Sequence, residues 1–126
     1  MFKKKFYFIV FEGIEGTGKS FQIKRLIDNL KKKNIKVLKT REPGGSISAE
    51  KIRNLIFDKN SNQFDSVTDF YLMLAARNEH IKNTILPAKK NKKIIISDRF
   101  TDSTYAYQVI GNRINKTINE INQKYI

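Results

Sequence analysis

FEGIEGTGKSF, residues 11–21, sets three glycines and a lysine between two apolar stretches. Residues 13–20 match G-x-x-x-x-G-K-[ST] at every fixed position. In that pattern the glycine backbone comes close to a phosphate, successive N–H groups form an anion-binding nest, and the helix that follows adds partial positive charge. Lys19 is placed to reach terminal phosphates as a mobile point charge, and the Ser20 hydroxyl to ligate Mg²⁺. The flanks give the match its specificity. YFIVF (7–11) is a short, continuous, β-rich apolar run, as expected of a strand buried on both faces. Downstream, Phe21, Ile23, Leu26, Ile27 and Leu30 recur at helical spacing, and Lys31, Lys32, Lys33 and Asn34 close that helix.

The hydrophobic period keeps switching along the rest of the chain. IKVLKT (35–40) reads as a second strand ended by the turn residues EPGG (42–45). A helix is expected over 49–57 and a polar loop over 58–65. Ser66 with Asp69 then resembles a capping box opening a long helix through Phe70, Met73, Leu74 and Arg77. Pro87 interrupts or restarts that helical region. KIIIS (93–97) reads as a third strand, followed by helical patterns near 103–110 and 115–124. Alternating strands and helices predict an α/β layer architecture with a parallel sheet, in which ligands sit beyond the carboxyl ends of the strands.

Composition narrows the function classes. The 126 residues are 40% hydrophobic and contain no cysteine and one histidine, which excludes disulfides, thiolate metal sites and a histidine cluster. The basic start and apolar run of MFKKKFYFIVFEG lack a cleavage-like site, and no stretch approaches a membrane span, so a cytoplasmic protein is expected. The formal net charge is +13. Much of the lysine lies in clumps at 3–5, 31–33 and 89–93, of which the last two fall where helices end and complement their dipoles. Charge alone therefore does not establish a nucleic-acid surface.

A second chemically marked loop follows IIISDRF (94–100), which delivers Asp98 and Arg99 to the same sheet edge as the glycine loop. An aspartate there can organise Mg²⁺ and its waters, and an arginine can grip phosphate through two parallel N–H bonds. Arg41 and Glu42 leave the second strand, Arg77 punctuates the apolar stretch FYLMLAARNEH, and Tyr105, Tyr107 and Gln108 could form a slot of base size.

Taken in order, FEGIEGTGKS, TREPGG, AEKIRNLI, LAARNEHI, ILPA and DRFTDSTYAYQ resemble the bacterial thymidylate kinases over nearly the whole chain. The glycine loop is shared by many NTPases, whereas REPGG followed by DRFTDSTYAYQ is specific to this family. The resemblance implies a P-loop NTPase-type three-layer α/β fold and transfer of the ATP γ-phosphoryl group to dTMP, with Mg²⁺. It implies that Gly13, Ile14, Glu15, Gly16, Thr17, Gly18, Lys19 and Ser20 cradle ATP. Lys19 follows the phosphoryl group and Glu15 sits near the acceptor's 3′-hydroxyl and the metal's water shell. Arg99 binds the dTMP phosphate, with Asp98 beside it near the metal. Arg53 and Arg77 lie on the monophosphate side, Arg77 facing thymine. Thr104 and Gln108 read the base edge, and Tyr107 helps exclude a ribose 2′-hydroxyl. Small-molecule partners, no specific nucleic acid and a helix-mediated homodimer are implied as well. The other readings are a different nucleoside or nucleotide kinase of this fold and a basic phosphate- or nucleic-acid-binding module.

Two departures modify these expectations. Met73 stands where the family usually has a thymine-stacking phenylalanine; its polarizable sulfur can cover a ring face, less rigidly. Ile14, Glu15, Gly16 and Thr17 include no base, which places the chain with relatives whose transition-state arginine is in a lid, and no lid fits after Gly111. The expectation is a single nucleoside monophosphate kinase domain over 1–126, its N-terminal part, with the first three of the family's five strands and weak or no activity alone. The family's 2-3-1-4-5 strand order would leave YFIVF at an edge here.

Overall fold

A computed structural model describes residues 6–60 and 63–111. Three strands, β1 (Phe8–Phe11), β2 (Val37–Arg41) and β3 (Ile94–Asp98), form a parallel sheet in the order β1-β3-β2. β3 is central, paired on both sides, and its Ile95, Ile96 and Ser97 are buried. Register aligns Phe11, Asp98 and Arg41 in one row at the carboxyl edge. The glycine loop, the Asp98-Arg99 turn and the REPGG turn therefore leave the sheet side by side. β1 lies at an edge of the described sheet, as the family order implies.

Strand alternation sends adjacent isoleucines to opposite layers. Ile96 packs with Ile23 and Ile27 of α1 (Lys19–Lys32), joined by Ile9, Phe11, Val37 and Ile94. Ile95 packs with Ile85 and Ala88, joined by Phe8, Leu38, Ile81 and Phe100. Helices thus cover both faces, giving the three layers expected of the fold.

α2 (Ile47–Ile56) is capped by Ser46, whose side chain accepts from the Ala49 N–H. α3 (Ser66–His80) is capped by Asp65 rather than by the expected Ser66. The Asp65 carboxylate accepts from the Val67 and Thr68 N–H groups and from the Thr68 hydroxyl, at 2.9, 3.1 and 2.7 Å. A carboxylate at the positive end of the helix dipole is the stronger acceptor. α3 continues through a π-helical turn (Ile81–Ile85) into α4 (Leu86–Lys90). Pro87 follows closely on the π-helical turn, so the helical ladder is interrupted there and continues as α4. Lys31 and Lys32 close α1, and Lys89 and Lys90 close α4, so these charges serve helix ends.

β3 leads into α5 (Thr101–Thr104) and a π-helical segment (Tyr105–Gly111). The expected helix at 115–124 and the lysines at 3–5 lie outside the described residues. Among the described residues, no helix is long and apolar enough to cross a membrane.

Candidate active site

The glycine loop runs directly into α1. Gly18, the residue before the helix, is left-handed at φ 84°, and no side chain caps the helix, which leaves its first N–H groups for an anion. Gly16 is also left-handed, at φ 80°. The Thr17 hydroxyl donates to the Ile14 carbonyl at 2.8 Å, tightening the loop. The Lys19 ammonium curls over it, donating to the Gly13 and Ile14 carbonyls at 2.8 and 2.9 Å. Lys19 thus holds its charge against the backbone of the glycine loop.

Beside this loop, the Arg99 backbone is left-handed at φ 70°, a conformation that disfavours a side chain by about 1–2 kcal/mol. Its surroundings hold it there. The Arg99 N–H donates to the Phe11 carbonyl at 2.9 Å, and the Ser97 hydroxyl donates to the Arg99 carbonyl at 2.8 Å. Glu12 then secures the next residues: its carboxylate accepts from the Phe100 N–H at 2.8 Å and from the Ser103 hydroxyl. The Arg99 guanidinium lies 5.4 Å from the Tyr107 ring centroid. Asp98 Oδ1 is buried and has no hydrogen-bond partner among the described residues.

The third wall rests on a buried polar chain. Glu42 accepts from Arg77 Nε at 2.8 Å through one oxygen and pairs with His80 Nδ1 at 2.9 Å through the other. His80 Nε2 meets the Thr40 hydroxyl at 2.6 Å. Arg77, only 3% exposed, also donates through Nη2 to the Thr104 hydroxyl at 2.6 Å and the Phe100 carbonyl at 3.1 Å, and its guanidinium lies 5.0 Å from the Phe100 ring centroid. Arg77 Nη1 is buried without a partner among the described residues. Gly45 closes the turn above this chain at φ 87°, where an added Cβ would strike both the Thr40 hydroxyl and the His80 ring.

Two further arginines flank the REPGG turn. Arg41 pairs with Glu50 at 2.8 Å; that hydrogen bond raises the guanidinium's pKa and lowers the carboxylate's, and Glu50 also accepts from the Gly45 N–H. Arg53 donates to the Pro43 carbonyl at 2.8 Å and lies 5.0 Å from the Phe57 ring centroid. Burial, and then repulsion from Arg41, lowers the Arg53 pKa. An anionic ligand would relieve that repulsion.

These walls enclose a cleft of about 920 Å³. Of the residues expected at the site, Glu15, Gly16, Ser20, Arg53, Met73, Asp98, Arg99, Thr104 and Tyr107 line it. Gly13, Ile14, Thr17, Gly18 and Lys19 form the adjoining loop rather than the cleft wall, and Arg77 is not in the lining but bonds to Phe100 and Thr104, which are. The side chain of Gln108 lies outside the described residues. Sequence reasoning assigned no role to Glu12 or His80 and left Glu42 as a turn residue. The structure makes them the ties between the walls. The one available signal was a buried-type position occupied by a lone charged residue, as in FIVFEG.

Comparison with known proteins adds an independent line of evidence. A sequence model of the thymidylate kinase family matches residues 11–126. The thymidylate kinase of Acinetobacter baylyi is 42% identical over 121 residues, covering 94% of this chain and 60% of that protein. That of Vesicomyosocius okutanii is 50% identical over 101 residues, covering 80% of this chain and 49% of that protein. The crystal structure of the Ehrlichia chaffeensis thymidylate kinase superposes with a TM-score of 0.82 at 41% identity, covering 95% of this chain and 68% of the other. The chain spans about half to three fifths of the length of these curated relatives.

Proposed function

The chain belongs to the thymidylate kinase family, and on that premise we propose that its cleft binds the terminal phosphates of ATP beside a dTMP and aligns them for transfer of the γ-phosphoryl group, giving dTDP and ADP. One observation carries this reading. The glycine loop, the Asp98-Arg99 turn and the REPGG turn converge on a single cleft at one sheet edge, and the N-terminus of α1 beside it has no side-chain cap among the described residues.

Phosphoryl transfer between polyanions needs alignment and neutralisation more than covalent chemistry. The glycine loop and Lys19 hold the donor phosphates. Arg99, fixed by its strained turn, grips the acceptor phosphate, and Arg53 adds charge from the opposite wall. Met73 and Tyr107 supply apolar cover for a nucleoside, with Thr104 and the Arg77 guanidinium on the base side, where family resemblance alone assigns Gln108. Glu15 lines the cleft, and the family resemblance assigns it to the acceptor's sugar. A divalent cation fits this donor set: Ser20 offers a hydroxyl and Asp98 a buried carboxylate oxygen without a partner among the described residues, both hard oxygen ligands. Mg²⁺ held there would neutralise the phosphate oxygens between which charge moves.

The test is transfer of label from γ-labelled ATP in the presence of dTMP, dGMP, dUMP or thymidine. The proposal predicts that dTDP is labelled in preference to every other product, however weak the transfer. Equal or greater labelling of dGMP would assign the cleft to another nucleotide kinase reaction. Binding of polynucleotide that falls steeply with salt and ignores Lys19→Ala would replace catalysis with a basic binding surface.

A further inference from the structure

Glu12 lies outside the glycine signature, one residue before Gly13, and does not line the cleft. Its carboxylate nevertheless reaches across from the end of β1 to the turn that follows β3. One oxygen accepts from the Phe100 N–H at 2.8 Å and the other from the Ser103 hydroxyl. The bracketed residues are those immediately after Arg99, whose backbone is held left-handed at φ 70°. An arginine released from that constraint relaxes to a negative φ and swings its side chain away. Two other contacts hold Arg99 itself, from the Phe11 carbonyl and the Ser97 hydroxyl; on its carboxyl side Arg77 holds the Phe100 carbonyl and the Thr104 hydroxyl, while Glu12 takes the Phe100 N–H and the Ser103 hydroxyl from the side of the glycine loop.

We propose that Glu12 is a positioning residue: its carboxylate clamps Phe100 and Ser103 so that Arg99 is held in its left-handed turn, with its guanidinium over Tyr107 and toward an acceptor phosphate. The functional half of this inference rests on the dTMP-kinase reading above. The clamp works by geometry, as a bidentate acceptor, and not as a ligand or a charge seen by the substrate. Because Glu12 belongs to the same segment as the glycine loop, it ties the donor-phosphate cradle to the acceptor-phosphate arginine. That link is absent from either motif taken alone.

The experiment is calorimetric titration of the full chain with dTMP and, separately, with Mg·ADP, for the unsubstituted protein, Glu12→Ala, Glu12→Gln, Arg99→Met and the Glu12→Ala/Arg99→Met pair. Glu12→Ala should weaken dTMP about tenfold or more, the worth of a charge-assisted phosphate bond, and leave Mg·ADP within about twofold. Glu12→Gln keeps an acceptor for Phe100 and a polar partner for Ser103, so it should restore most of the dTMP affinity. The double variant should bind dTMP no more weakly than Arg99→Met alone, since both remove one interaction. If Glu12→Ala fails to fold, Glu12→Asp, too short to span both partners, takes its place. Equal loss of both nucleotides, additive losses in the pair, or Gln as damaging as Ala would overturn the clamp. If the unsubstituted chain binds no dTMP, the dTMP reading falls by itself, and the clamp is then decided by NMR. Ring-current shifts of the Arg99 side chain from Tyr107 should vanish in Glu12→Ala and persist in Glu12→Gln; unchanged shifts in both would overturn it.

Discussion

Separating Glu42 from Arg77 is the sharpest way to ask whether the cleft's third wall rests on a buried ion pair. Both side chains are almost fully enclosed, at 4% and 3% exposure, and meet at 2.8 Å. Removing one partner strands the other's charge in the interior, where the penalty is about 3–5 kcal/mol. Glu42→Leu should therefore destabilise the protein by about 3–5 kcal/mol. Arg77→Met should do likewise, a large part of the roughly 5–15 kcal/mol that holds a typical domain together. The double variant removes both charges together and leaves His80, the Thr104 hydroxyl and the Phe100 carbonyl each short of one bond. It should be no less stable than the worse single variant. The chain has no tryptophan, so urea unfolding is best followed by far-ultraviolet circular dichroism. Losses that simply add, with the double variant at about 6–10 kcal/mol, would refute the view that the pair acts as one unit.

Other outcomes follow from local geometry. Gly45→Ala combines left-handed strain with a Cβ driven into Thr40 and His80, so it should cost about 2–5 kcal/mol. Gly16→Ala has open space around its Cβ and should cost only the strain, about 1–2 kcal/mol, by the same urea titration. Hydrogen bonds from Thr68, first its hydroxyl and then its N–H, hold the Asp65 carboxyl below its ordinary range. A depressed carboxyl stabilises the fold at pH above its unfolded value of about 3.9 and loses that contribution as pH falls through its lower folded value. Protection of the Val67 and Thr68 amides against exchange should decline through that acidic window, and Asp65→Asn should flatten the decline. An unaltered profile in Asp65→Asn would show that the cap does not titrate.

The parts of the site legible in the sequence were those built from consecutive residues. The glycine loop announces itself because the nest, the strand before it and the helix after it are all local, and IIISD shows its burial by composition. The neighbours of β3 were legible only through family resemblance, since apolar runs do not state which strand lies beside which. The ties between the walls were not legible at all. Glu12 reaches partners 88 and 91 residues away, and Glu42 reaches Arg77 and His80 at separations of 35 and 38. No period in the chain encodes such pairs; only the burial of a lone charged side chain hints that a partner must exist. The shift of the α3 cap from Ser66 to Asp65 has a simpler cause, two adjacent cap-forming residues of which the charged one wins.

The central claim is that the glycine loop and Lys19 hold nucleotide phosphates within the shared cleft. Calorimetric titration of Mg·ADP into the chain and into Lys19→Ala, each at low and at high salt, tests it most directly. The account predicts saturable binding at one site, weakened about tenfold or more by Lys19→Ala and only modestly by salt. Binding indifferent to Lys19→Ala, and abolished by salt alone, would contradict it.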